Sequence, residues 1–257
     1  MPTILITNDD GIFSPGLDAL AESLKTIGDV IIIAPDREKS ATSQSLTITR
    51  PLKVIKINSN KYTIDGTPTD CIAVGLKKIL TKKPNLIVSG INLGGNLGDD
   101  INYSGTVAAA KEGTLLGIPS FAISVVALKD FIFEAAMETA PKIAIMILKN
   151  GLPANTLLNV NLPLVTPDKI KGFKFTKQGK RVYNNSIMDI NDPWGKPHFW
   201  IGGGTPSWDG GNNSDYYAIS NNYISITPLQ LDMTNYDYLK VLLEGSAHVI
   251  YGPPQGI

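Results

Sequence analysis

Residues 3–11 read TILITNDDG, a short β-branched apolar run that ends in a polar turn. Such a run is typical of a buried strand in a parallel sheet, because helices cover both faces of that sheet. Leucines at helical spacing follow Ser14-Pro15, a pair that favours a helix start, and a second apolar run occupies Val30–Ala34. This beginning predicts a strand, a helix and a second strand, the repeating unit of an α/β protein.

Strands and helices continue to alternate up to about residue 165, which implies a mostly parallel sheet with right-handed crossovers. Between residues 179 and 222, Pro, Gly, Asn and aromatic residues cluster, so we expect extended strands, hairpins and long loops there. That segment is compatible with a subdomain, an oligomer interface or a plain loop-rich surface. The helices are predicted from Pro15 to about Ile27 and at Thr69–Leu80, Thr106–Leu116, Phe131–Leu148 and Tyr236–Leu243, and the remaining strands at Leu46–Thr49, Leu52–Ile57, Tyr62–Ile64, Leu86–Ser89, Phe121–Val126 and Ile224–Thr227.

Composition excludes several classes of function. The 257 residues carry 23 basic and 23 acidic side chains, a formal net charge of zero, which disfavours binding to a nucleic-acid duplex or to an anionic membrane. The single cysteine, Cys71, excludes an intramolecular disulfide and a Cys-rich zinc site. No basic segment precedes the first apolar run, and no apolar run is long enough to span a bilayer. We therefore expect a cytoplasmic protein.

Three polar loops follow predicted strands and should meet at one edge of the sheet. They are Asn8–Gly11, Asp36–Ser40 and Ser89–Gly98. In an open parallel sheet, ligands bind outside the carboxyl ends of the strands. This convergence locates the candidate site better than any one motif does.

The adjacent carboxylates Asp9 and Asp10 would repel each other at one site, and a divalent cation is the economical way to offset that repulsion. The alternative is that one carboxylate caps the turn while the other faces solvent. The loops also offer Ser40 and Asn92, so that Asp9, Asp10, Ser40 and Asn92 form an all-oxygen candidate set. Oxygen ligands favour magnesium or manganese over zinc or copper. Taken singly, Ser40 and Asn92 are more typical of loop and turn residues.

A glycine-rich stretch, residues 90–105, ends in Ser104-Gly105-Thr106 where a helix is predicted to begin. Free backbone N–H groups and the helix dipole favour a phosphate at such a position, and both hydroxyls can add donors. Ordinary N-capping by Ser104 is the alternative. The sequence contains no Gly-x-x-x-x-Gly-Lys-Ser/Thr loop and no His-Glu-x-x-His motif.

Other polar positions are interpreted as structural. In Gly66-Thr67-Pro68-Thr69-Asp70 we expect Thr69 to cap a helix, and Asp99-Asp100 fits a solvated loop tip better than a second acidic site. His198 and His248, the only histidines, lie in the irregular and C-terminal regions and are predicted to be structural.

Together these motifs, in this order and at these spacings, resemble the stationary-phase survival protein SurE family, whose members are metal-dependent nucleotidases and phosphatases. The resemblance covers nearly the whole chain, and two small departures, Ala41 for a frequent Gly and Ser14 for a frequent Ala, remove no candidate ligand. The matching residues are Asn8-Asp9-Asp10-Gly11 with Pro15-Gly16, Ala34-Pro35-Asp36-Arg37 with Ser40, Gly66-Thr67-Pro68-Thr69-Asp70-Cys71, Ser89-Gly90-Ile91-Asn92, Asn96-Leu97-Gly98-Asp99-Asp100, Tyr103 to Ala110 and, more weakly, Ser225 to Leu229.

The resemblance implies a Rossmann-like three-layer α/β/α core, here residues 1–165. It also implies that the extended hairpin and C-terminal region, residues 166–257, completes the core and forms contacts of a homodimer or homotetramer. One divalent cation, magnesium or manganese with calcium as another occupant, would be held by Asp9, Asp10, Ser40 and Asn92. Phosphate contacts would fall on the residues Asn96, Ser104, Gly105 and Thr106.

The leading hypothesis is hydrolysis of nucleoside 5′-monophosphates to nucleoside and phosphate by a metal-activated water, with Asp9 or Asp10 orienting or deprotonating that water. Two alternatives remain open at this point. One is a covalent aspartyl-phosphate route. The other is a metal- and nucleotide-binding regulatory module without hydrolysis.

Overall fold

The computed structural model describes residues 1–127, 129–130, 132–182, 187–201 and 207–245, and its centre is a mixed nine-stranded sheet. The strands are β1 (Thr3–Thr7), β2 (Asp29–Pro35), β3 (Val54–Lys56), β4 (Lys61–Ile64), β5 (Leu86–Leu93), β6 (Ser120–Val126), β7 (Thr156–Pro163), β8 (Phe173–Phe175), β9 (Lys180–Val182), β10 (Ile187–Asn191), β11 (Pro197–Ile201), β12 (Ser207–Asp209) and β13 (Ile224–Gln230). The helices are α1 (Pro15–Leu24), α2 (Pro68–Val74), α3 (Gly105–Leu115), α4 (Glu134–Asn150), α5 (Asp215–Ser220) and α6 (Tyr236–Gly245).

The sheet has the order β3-β4-β2-β1-β5-β6-β7-β13-β8, and the six strands from β4 to β7 are parallel. Helices α1 and α4 pack on one face, and α2 and α3 pack on the other. The predicted three-layer α/β/α arrangement with a mostly parallel sheet is therefore confirmed. Strand β13 runs antiparallel to β7 and parallel to β8, so residues beyond 165 contribute two strands to this sheet.

The order of the parallel strands reverses between β1 and β5. From β1 the chain proceeds outward through β2 and β4, and it then returns to place β5 on the other side of β1. Such a reversal leaves a crevice at the carboxyl ends of the two strands, because their following segments turn in opposite directions. The loop after β1 carries Asp9 and Asp10, and the end of β5 carries Asn92, so three candidate ligands lie at this crevice.

Several local expectations were wrong. Leu46–Thr49 is not a strand: the amide and hydroxyl of Thr47 are bonded to the Asp70 carboxylate instead of a neighbouring strand. Thr67, not Thr69, caps α2, and its side chain accepts from the Asp70 amide in a capping box. The predicted helix over Phe131–Leu148 does form as α4, and it is continuous through Pro141.

The remaining differences concern element lengths. Strand β5 continues to Leu93 with a bulge between Ser89 and Asn92, where we expected a loop after Ser89. Helix α5 was not predicted. Two positions lie outside the described residues: Phe131, the expected start of a helix, and His248. Among the described helices, none is long and apolar enough to cross a membrane.

Candidate metal and phosphate site

Hydrogen bonds inside the turn and a close contact with the backbone of Arg37 fix the turn that carries the two aspartates. The buried Asn8 side chain bonds twice across the turn, its Oδ1 accepting from the Gly11 amide at 3.2 Å and its Nδ2 donating to the Gly11 carbonyl at 3.0 Å. Gly11 has a φ of +99°, and a Cβ there would lie 3.0 Å from the Arg37 carbonyl carbon. Glycine is required at this position because both the left-handed backbone and the close approach exclude a side chain.

Asp9 is almost completely buried, with 5% of its surface exposed. The Thr106 hydroxyl donates to its carboxylate, and the Lys39 amide donates to its carbonyl oxygen at 2.6 Å. Gly105 packs against it so closely that a Cβ at residue 105 would lie 2.8 Å from the Asp9 Cβ. Burial raises the pKa of Asp9 above its ordinary value, although its hydrogen bonds to Thr106 act in the opposite direction. The first turn of α3 is thus locked onto this carboxylate.

Asp10 is partly buried, and its carboxylate accepts from the Leu93 amide at the end of β5, at 3.3 Å. Burial, followed by the charge of Asp9, raises the pKa of Asp10 to about 7, and Glu38 adds to the repulsion. Within the part of the chain that the structure describes, neither aspartate forms an ion pair with Lys, Arg or His. The crevice therefore concentrates negative charge that no side-chain cation of the described residues balances by an ion pair.

The donor set fits a hard divalent cation. Two carboxylates whose pKa values are raised, chiefly by burial, are groups that a bound cation would return to the ionised form. The described residues contain no group of three or more His, Cys, Asp and Glu side chains suited to a metal, so neutral oxygens and water would complete the coordination. Such oxygen-rich coordination suits magnesium, manganese or calcium.

Ser40 and Asn92, the neutral candidate ligands, are engaged with neighbours. The exposed Ser40 hydroxyl donates to Glu38 at 2.6 Å, and Glu38 is the same carboxylate that raises the pKa values of both aspartates. The Asn92 Nδ2 donates to the Gly94 carbonyl at 2.7 Å, which leaves the Asn92 Oδ1 as the atom able to bind a cation.

The four candidate phosphate contacts divide into two groups. Ser104, Gly105 and Thr106 form the start of α3, where the Ser104 hydroxyl accepts from the Val107 amide at 3.0 Å as an N-cap. Asn96 is buried, and its Nδ2 donates to the Ser124 hydroxyl at 2.8 Å. The structure thus brings the α3 start directly onto Asp9, whereas it turns the amide of Asn96 towards β6.

Sequence reasoning missed the residues that hold this site from behind. Asn159 and Asn161, buried on β7, both donate to the Asn96 carbonyl, at 2.8 and 3.0 Å. Their signal was present in the sequence, because two Asn residues two positions apart in an apolar strand share one face and require polar partners. Glu38 was also missed. It is one of several charged residues in the second polar loop, Asp36–Ser40, and nothing in the sequence distinguishes it from the others.

The geometry defines an α/β protein with a paired-aspartate, all-oxygen site at the switch point of its parallel sheet, facing the N-terminus of a helix. The family profile described as Survival protein SurE matches residues 4–185. The chain belongs to this family.

Similar proteins match over nearly their whole lengths. A protein from Aquifex aeolicus named 5′-nucleotidase SurE is 49% identical over 242 residues, which cover 93% of this chain and 96% of the relative. A protein of the same name from Geotalea daltonii is 48% identical over 240 residues, covering 93% and 97%. The crystal structure of the SurE protein from Aquifex aeolicus superposes with a TM-score of 0.84 at 46% identity, covering 94% of this chain and 98% of that one.

Proposed function

We propose that this protein is a divalent-metal-dependent phosphomonoesterase that hydrolyses nucleoside 5′-monophosphates to nucleoside and phosphate. The observation that carries the proposal is the pair formed by the buried Asp9 and the partly buried Asp10, which faces the start of α3 and, among the described residues, forms no ion pair with a side-chain cation. The relatives named 5′-nucleotidase SurE, which match along almost the whole chain, support the same activity.

In this proposal Asp9, Asp10, Ser40 and Asn92 hold one cation, magnesium or manganese. When bound, such a cation neutralises phosphoryl charge and lowers the pKa of water. Asp10 is the better candidate to orient or deprotonate the attacking water, because it is partly exposed, whereas Asp9 is buried and bonded to Thr106. Asp9, besides binding the cation, positions α3 against the site through its bond to Thr106.

The start of α3 is proposed to hold the phosphoryl oxygens. The first-turn amides of a helix have no partners within that helix, so that of Gly105 can donate to an anion, whereas that of Thr106 already interacts with the Asp9 carboxylate. The Ser104 hydroxyl accepts from Val107, which leaves its own hydrogen to donate to phosphate. These donors would act where negative charge grows in the transition state. Asn96 would join them after its amide leaves Ser124.

A phosphate-release screen over nucleoside monophosphates, sugar phosphates and polyphosphates, run with Mg²⁺, with Mn²⁺ and with chelator, tests the proposal. We expect release from mononucleotides that requires metal. Asp10→Asn should abolish release while circular dichroism stays unchanged, and the exposed Asp29→Asn serves as the matched control that keeps full activity. Full activity of Asp10→Asn would refute the assignment.

Two further experiments on the same proteins test the alternatives, a covalent aspartyl-phosphate route and a regulatory module without hydrolysis. An acid-quenched single turnover would leave phosphate on a protein carboxylate, detectable by borohydride reduction of the acyl phosphate, only if an aspartate had attacked phosphorus. Tight nucleotide binding without phosphate release from any substrate would instead indicate a regulatory module.

Assembly and location are part of the proposal. Residues 166–257 are proposed to form homodimer or homotetramer contacts, because the β10–β11 hairpin exposes Phe199, Trp200 and Ile201 by 67%, 62% and 86%. An equilibrium sedimentation experiment that gives only monomer would refute this.

The free, buried Cys71 is compatible with a cytoplasmic protein. No nucleic-acid duplex or membrane partner is proposed.

A further inference from the structure

An aromatic pair stands beside the predicted phosphate loop and has no part in the chemistry proposed above. The rings of Trp208 and Tyr216 stack with centroids 4.5 Å apart and planes 6° from parallel. The Arg181 guanidinium lies 5.5 Å from the Trp208 ring centre, and the two residues face each other across the β9–β12 pair. Trp208 also packs on the third loop, since a Cβ at Gly98 would lie 3.1 Å from the indole.

The carboxylate of Asp215 fixes this aromatic pair relative to the site. Asp215 is buried, with 1% of its surface exposed. It accepts from the Gly98 amide at 2.8 Å, from the Gly179 amide at 2.9 Å and from the Tyr216 amide at 2.7 Å. One carboxylate therefore ties the loop that carries Asn92 and Asn96 to the segment that carries the aromatic rings. This aromatic wall is rigidly positioned before any ligand arrives.

A cavity of about 660 Å³ opens between the aromatic wall and the third loop. The apolar side chains Leu97, Val126 and Leu164 face it, together with Trp208 and Tyr216. Its volume lies within the range of about 300–1,000 Å³ that is typical of small-molecule sites, and an apolar lining with few polar groups is typical too. The cavity also touches Gly94 and Gly95, which lie between Asn92 and Asn96.

The charges around this cavity suit a neutral ligand group. Two acidic and two basic side chains contribute to the lining, and one of each, Asp100 and Arg181, form an ion pair with each other. A second anion would find no excess of positive charge here. A flat, uncharged, aromatic group would find an apolar and aromatic surface together with polar edges, which is the chemistry that binds nucleobases.

We propose that this cavity is the base subsite of the enzyme, and that Trp208 and Tyr216 determine its preference for nucleotides over simpler phosphate esters. The inference rests on the proposed function, because it assumes that the phosphate lies at the start of α3. A second aromatic candidate, the exposed Phe13 near Asp10, lines a different hollow formed with Asp36, Arg37 and Glu38. That hollow is charged, and it is less suited to a nucleobase.

The test compares AMP with ribose 5-phosphate, which lacks the base. Trp208→Ala should raise KM for AMP about tenfold and leave kcat/KM for ribose 5-phosphate within about twofold, because stacking on an aromatic residue contributes on that order to base binding. Trp208→Phe should restore most of the loss, and Phe13→Ala should discriminate like wild type. Equal losses on both substrates, or a selective loss with Phe13→Ala, would overturn the proposal.

A second variant and a second readout guard against a folding defect. Ala127→Leu narrows the cavity from its β6 side, and we expect the same selective loss for AMP. In a Trp194→Phe, Trp200→Phe background Trp208 is the sole tryptophan, so adenosine should quench its fluorescence saturably. Absence of quenching refutes the subsite. Quenching without phosphate release from any ester would instead refute the proposed function and leave the subsite standing.

Discussion

Replacing Asp10 with Asn should make the metal-free protein more stable at neutral pH. The carboxylate of Asp10 has a pKa of about 7, because burial and the neighbouring Asp9 disfavour its charge. Asn has nearly the same shape and can still accept from the Leu93 amide, which donates at 3.3 Å. The substitution therefore removes a destabilising charge and keeps the local contact. Gain of stability with loss of activity is the pattern expected where function requires a strained electrostatic arrangement.

The structure sets the size and the pH range of this effect. The pKa of Asp10 is raised from 3.8 to about 7, and a shift of that size corresponds to at most about 4 kcal/mol at about 1.4 kcal/mol per unit. Solvent screening of a partly exposed group reduces the gain to about 2 kcal/mol. A raised folded-state pKa means that the cost of the charge is absent below about pH 4, grows as pH rises and is complete above about pH 7.

Urea unfolding with chelator at pH 4, 6 and 8 measures the effect. We expect the two proteins to be equally stable at pH 4, and Asp10→Asn to be about 2 kcal/mol more stable at pH 8. Adding Mn²⁺ should stabilise the wild type and leave the variant nearly unchanged, because only the wild type retains the paired carboxylates. A variant that is less stable than wild type at pH 8, or a difference that does not change with pH, would refute the electrostatic reasoning.

Three further predictions concern the supports of the site. Thr106→Val removes the hydroxyl that donates to Asp9, so it should cost about 1–3 kcal/mol in urea unfolding and lower phosphate release. Gly105→Ala places a Cβ 2.8 Å from that of Asp9; the displaced helix start should reduce kcat/KM at least about tenfold in a phosphate-release assay. Asp215→Ala leaves the amides of Gly98, Gly179 and Tyr216 without their carboxylate, which should cost about 3 kcal/mol or more by urea unfolding; unchanged stability would contradict that role.

The parallel part of the sheet follows from local sequence signals. A β-branched run that ends in Asn-Asp-Asp-Gly at residues 8–11 predicts both a buried strand and a turn at its end. Alternation of strands with helices then predicts a parallel sheet, and the parallel sheet predicts that polar loops meet at one edge. Each step uses periodicity or turn chemistry. Both act over a few residues, so these features can be predicted from the sequence alone.

The parts that sequence reasoning missed depend on contacts between distant residues. Thr47 lies in a segment that alternates like a strand. Its amide nevertheless donates a hydrogen bond to the carboxylate of Asp70, 23 residues away in the sequence. Helix α5 has only six residues, too few for a helical period to be recognised, and its first residue, Asp215, bonds to Gly98 at a separation of 117 residues. No local pattern encodes such pairings. They became visible only when the fold brought the segments together.

In the proposed function, the acidic pair would let a protein of zero net charge bind an anion through a cation instead of a basic surface. In the proposed site, a phosphate dianion would approach Asp9, Asp10 and Glu38, and within the described residues no lysine or arginine is paired with the two aspartates. Repulsion would dominate until a divalent cation reverses the local sign. Phosphate affinity should therefore be lost on chelation and depend only weakly on salt, because the proposal assigns the anion to the cation and the α3 start and not to surface lysines. If a surface patch of lysines and arginines bound the phosphate instead, chelation would leave the affinity unchanged and added salt would lower it strongly.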